Sequence, residues 1–223
     1  SISLSNAGAG LTASTVNAGG VSNVVLTTTG VGDILVDSVS ASGGTITVTS
    51  AGAIEEAVPD SGVDFTAGTM NLSAVSGIGS LNALESAALQ IGAATTNGNV
   101  DLANESAVAT TVSGLSTGTG AITFSQTGGG TLSVTSAVTA DGSISLSNAG
   151  AGLTASTVNA GGVSNVVLTT TGSGDILVDS VTASGDQIQI NSAGVIEDTG
   201  ASPVRLTAGT LDLNAAAGIG AAG

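Results

Sequence analysis

The chain has 223 residues, with 16 acidic side chains against one cation and a formal charge of −15, and it contains no His, Cys, Trp or Tyr. A single cation, Arg205, excludes the Lys- and Arg-based grip on phosphates that nucleic-acid binding needs, and equally a hold on an anionic membrane surface. Without His, Cys or Lys a Ser/His/Asp triad, an ordinary zinc site and a disulfide scaffold are all ruled out, while 8% charged and 41% hydrophobic residues do not describe a disordered acidic tail.

Read in chain order, the signal is a pair of aliphatic or Phe residues flanking one other residue, the mark of a strand with one buried face. The pairs are Ile2/Leu4, Val24/Leu26, Ile46/Val48, Met70/Leu72, Val100/Leu102, Ile122/Phe124, Ile144/Leu146, Val166/Leu168, Ile188/Ile190 and Leu211/Leu213. Their steps are 22, 22, 24, 30, 22, 22, 22, 22 and 23 residues. Each unit offers more than one strand candidate, Val24–Thr28 and Ile34–Val39 in the second and Thr45–Ser50 and a later Val63–Ala67 in the third, with Gly-rich corners such as Gly30-Val31-Gly32-Asp33 and Ala41-Ser42-Gly43-Gly44 between them. The 30-residue step points to a longer coil, about 73–99. Its stretch Leu81–Asn97 is the one place where a helix competes, and a loop or short helical turn bulging outward is expected there.

A longer repeat encloses the short one. Residues 143–186 reproduce 1–44 at 41 of 44 positions, failing only at positions 31, 40 and 44 of the first copy. The match continues more weakly, Ala51-Gly52-Ala53-Ile54-Glu55-Glu56 facing Ala193-Gly194-Val195-Ile196-Glu197-Asp198, and Gly77-Ile78-Gly79 facing Gly218-Ile219-Gly220. The first six short steps sum to the 142-residue offset between the copies, so the spacing reads as a six-coil unit at 1–142 and a partial second copy at 143–223 within one solenoid.

Strands of about five residues with corners fit about 22 residues into one coil of a parallel β-helix. About ten coils at the ~4.8 Å spacing of paired strands give a rod of roughly 45–50 Å. The interval also argues against the runner-up, a β-sandwich of hairpins, which has no reason to keep it.

The recurring Gly-Asp-Ile-Leu-Val of 32–36 and 174–178, Leu-Thr-Ala-Gly-Thr-Leu-Asp-Leu of 206–213, Thr-Thr-Asn-Gly-Asn-Val-Asp-Leu of 95–102 and the Gly-Ile-Gly turns at 77–79 and 218–220 carry a resemblance. In repeat style the chain resembles the filamentous-haemagglutinin-like adhesins and related giant bacterial surface proteins. That resemblance implies an all-β, right-handed parallel β-helix, export to the cell surface or beyond, and a rod or fibre role without catalysis.

Carboxylates and hydroxyls are the reactive groups left. Glu55/Glu56, their copy Glu197/Asp198, and Asp60/Asp64 are expected to be solvated surface groups, since neighbours on a strand point to opposite faces. Calcium is a weak possibility at Asp33 and Asp37 and their copies Asp175 and Asp179, beside Gly turns, although the Gly-Gly-x-Gly-x-Asp nonapeptide of calcium β-rolls is absent. The Gly runs lack a following Lys and are corners rather than phosphate loops. Asn71 and Asn104 match the glycan-acceptor pattern, which chance readily produces in a Ser-rich chain. The residues between the paired aliphatics, among them Val25, Asn71, Asp101 and Gln189, form an outward column too mixed for ice binding. The expected function is a structural rod segment, the alternative a module holding a glycan or Ca²⁺ on its flank. Partners are then adjacent repeats, a surface or glycan ligand, and other copies stacked end to end, since both ends of the sequence cut through a repeat.

Overall fold

The computed structural model describes residues 1–200 and 205–220, and every strand pairing in it is parallel. No helix occurs among the described residues. The chain winds as a β-solenoid of about ten turns with coils of about 22 residues. Inward aliphatics alternate with outward polar residues along each strand, as in Val24–Thr28, where Val24 and Leu26 are fully buried. They stack on their counterparts a turn away into one continuous core.

The registers define two sides. On one, Ile2 pairs with Val24, Val24 with Ile46, Ile46 with Met70, Met70 with Ile91, Ile91 with Val112 and Val112 with Val134. On the other, Leu11 pairs with Ile34, Ile34 with Ile54, Ile54 with Ile78, Ile78 with Val100, Val100 with Ile122 and Ile122 with Ile144. The single column expected from spacing is therefore two half-columns. It follows the first side as far as Met70 and the second from Val100 onward. The 30-residue step is one turn to Ile91 plus half a turn to Val100, not a long coil.

Nor does Leu81–Asn97 bulge as a whole. Leu84–Thr95 is a twelve-residue strand paired to both neighbouring turns. Helix formers lose here because Leu84, Ser86 and Ala88 point into the core on alternate positions, and the neighbouring turns pair with the strand along nearly all its length. Only the corner 79–83 stands clear. It leaves through Gly79, whose φ of +63° suits Gly and whose missing Cβ would sit 2.3 Å from the carbonyl oxygen of Asp101.

The 142-residue unit consequently spans six and a half turns. Ile144, the copy of Ile2, lies six turns beyond Leu11, which is itself half a turn beyond Ile2. The two copies enter the rod on opposite sides. Each turn has a straight side, as in Ile2–Asn6, and a bent side, as in Leu11–Asn17, where Ser14 and Thr15 both face out at the bend. Straight and bent sides change places between residues 70 and 117, where the straight run 91–95 pairs with the bent run 111–117 through a bulge at Ser113.

Candidate functional site

The sequence candidates separate in space. Asp33 and Asp175 precede strands on opposite sides of the rod, because their copies do. Each turns its carboxylate onto the next coil, where Asp33 Oδ1 accepts from Ala53 N at 2.7 Å and Asp175 Oδ1 from Val195 N at 2.9 Å. They are corner caps. The close approach explains Gly52 and Gly194, whose added Cβ atoms would lie 2.2 and 2.0 Å from those same oxygens. Asp37 is half-buried, and Asp179 faces Arg205, Oδ1 to Nη1 3.4 Å. The four are not brought together.

Of the carboxylates expected to be solvated, Asp60 and Asp198 are exposed and Glu197 is half-buried, but Glu55, Glu56 and Asp64 are buried. Glu55 points outward from its strand, but the 79–83 corner of the next turn covers it. Ser80 N and Leu81 N donate to its two oxygens at 3.2 and 3.1 Å. Burial pushes its pKa up, against those two N–H groups, which pull it down.

Glu56 stands in register with Val36 of the previous turn and so takes an inward position. It is 9% exposed, and Asp64 only 2%. Between them the chain leaves the rod over 57–63 and returns at Phe65. Asp64 meets the next turn through two backbone-linked contacts, Asp64 N to Glu85 O at 3.0 Å and Glu85 N to Asp64 Oδ2 at 3.1 Å. One carboxylate oxygen from each of Glu56, Asp64 and Glu85 lies within 4.8 Å of the others. Glu56 Oε1 accepts from Asp60 N at 2.7 Å, but the Oε2 atoms of Glu56 and Glu85 are buried without a hydrogen-bond partner.

Desolvation pushes Asp64 up to about 8, with Glu56, Glu85 and Asp60 adding like-charge repulsion and the Glu85 N–H opposing. Glu85 rises for the same first reason, then because of Glu56. Three carboxylates from two successive turns thus converge where the bent side opens for a loop.

The second copy fills the same place differently. Asp198 stands in register with Val178, as Glu56 does with Val36. Val181 N donates to Arg205 O at 2.7 Å, as Val39 N does to Asp64 O at 2.7 Å. Arg205 therefore occupies the backbone position of Asp64. Its guanidinium reaches Asp179 at 3.4 Å and Asp198 at 3.6 Å.

Asn104, one of the two glycan-pattern residues, is 2% exposed and bonded inside the rod, whereas Asn71 faces solvent. Comparison with protein-family models, curated proteins and solved structures found no match to this chain.

Proposed function

We propose that this chain is a rigid rod segment of a large exported bacterial surface adhesin or extracellular filament, with a structural rather than a catalytic role. The observation that carries the reading is the way the long repeat tiles. The full first copy and the partial second, near-identical over their first 44 residues, enter on opposite sides and still continue one parallel ladder, so lengthening by further copies needs no new kind of interface. Stability then accumulates turn by turn, as in other solenoids. The resemblance of repeat style to filamentous-haemagglutinin-like proteins supports the placement outside the cell or on its surface.

The test is geometric. Chains carrying one, two, three and four copies of the 142-residue unit are imaged by electron microscopy and measured by small-angle scattering. Each added copy should lengthen an unbranched rod by about 31 Å, six and a half turns at the ~4.8 Å strand spacing. Flexible beads on a string, or a maximum dimension that fails to grow with copy number, would sink the rod.

A further inference from the structure

We propose that Glu56, Asp64 and Glu85 bind one divalent cation of the calcium class, in the place that an arginine fills in the second copy of the repeat. Two independent observations carry this. Glu56 is 9% exposed and belongs to the cluster, and its Oε2 is buried without a hydrogen-bond partner, as is Glu85 Oε2. A carboxylate oxygen so enclosed lacks both water and a donor, and a metal ion supplies the missing partner. Separately, the repeat contains its own control. Where Asp64 stands in the first copy, Arg205 stands in the second and lays its positive charge between Asp179 and Asp198. The same fold position holds a built-in cation once and three carboxylates with no cationic side chain the other time.

The donor set selects the ion. All three side chains offer oxygen, and no His or Cys exists in the chain. Hard, oxygen-seeking ions suit such a site, and softer transition metals do not. Calcium accepts irregular, flexible shells of oxygen ligands, whereas magnesium demands near-ideal octahedral geometry and gives up its waters reluctantly, which three side-chain carboxylates drawn from two turns suit less well. Because Glu56 and Asp64 belong to one turn and Glu85 to the next, the ion would clamp the loop 57–63 to the rod and tie two coils together.

The test uses the whole 223-residue chain, stripped with chelator, and CaCl₂ or MgCl₂ as the probe. Isothermal titration should show one calcium per chain, and thermal melts should move upward with calcium far more than with the same concentration of magnesium. Asp64→Asn and Glu56→Gln should lose the bound calcium and the shift. Asp64→Arg should melt in chelator as high as the parent does in calcium, and should ignore added calcium. That variant separates a lost site from a damaged fold, since it supplies the cation within the chain. No binding at millimolar calcium, an equal response to magnesium, an unchanged stoichiometry in Asp64→Asn, or an Asp64→Arg chain that still needs calcium would each overturn the assignment.

Discussion

Single side chains at the corners decide where the rod turns. The fifth residue of most straight runs faces inward yet is polar: Asn104, Gln126, Asn148, Thr170 and Ser192 are all buried, whereas the run from Met70 has Ala74 there. Asn104 donates to Ala88 O, Thr110 Oγ1 and Gln126 Oε1, and the other four donate to corner carbonyls that the ladder leaves open. Asn148 Nδ2 reaches the carbonyls of Gly130, Ala151 and Gly152 at 3.0, 3.1 and 2.9 Å, and Thr170 Oγ1 reaches that of Gly174 at 2.6 Å. Asn6 is the copy of Asn148 in an identical sequence, but it lies in the first turn and donates through Nδ2 to Gly10 O alone. Asn148→Ala should therefore cost about 2 kcal/mol, the penalty of orphaned buried carbonyls, and Asn6→Ala well under half of that. Urea unfolding followed by circular dichroism, with unchanged slope, checks both. Equal losses would mean that the corner bonds carry no stability of their own.

Strands and turns obey the neighbour rule of a solenoid. Val24 is fully buried between Ile2 and Ile46 of the adjoining turns. Val24→Asp places an unpaired charge there, at a cost of several kcal/mol. Only the turns that touch it should open. Hydrogen exchange should show lost protection in the strands up to about Ser50, while those from Thr110 to Ser192 keep theirs. Loss of protection along the whole chain at once would contradict a sum of local contributions. The strand Leu84–Thr95 teaches the complementary lesson. Its Leu, Glu, Ala and Gln favour a helix in isolation, and its pairing with the turns before and after overrides that preference.

At the scale of these 223 residues taken alone, the first and last described turns expose apolar side chains. Leu4 is 37% exposed, and at the far end Leu211 and Ile219 are 51% and 55% exposed, whereas Leu26 and Leu146 in the interior are fully buried. Parallel stacking makes the two ends complementary to each other, so copies should join head to tail. The charge of −15 opposes that contact, and salt screens it. Light scattering should report growing assemblies as salt and concentration rise, and electron microscopy should find filaments one rod wide. A chain that remains monomeric at high salt would show that these ends do not pair.

The alternation of aliphatic and polar residues, and its return every 22 or so residues, is a local property, and from it the sequence by itself determined the solenoid, the size of its coils and the inward face of strands such as Val24–Thr28. Which side of the rod a strand joins is not local. Both sides are lined by the same small aliphatics, so counting intervals cannot distinguish one turn from one and a half, and Val100 looks like the successor of Met70 when that successor is Ile91. The acidic cluster was hidden for a related reason. Read singly, Glu56, Asp64 and Glu85 are ordinary surface residues, and two signals bore on them: Glu85 follows Asp64 by 21 residues, one turn, and Arg205 replaces Asp64 in the copy. Neither signal has meaning until the register is known, because burial of a carboxylate depends on which neighbouring turn covers it, and only the tertiary structure decides that.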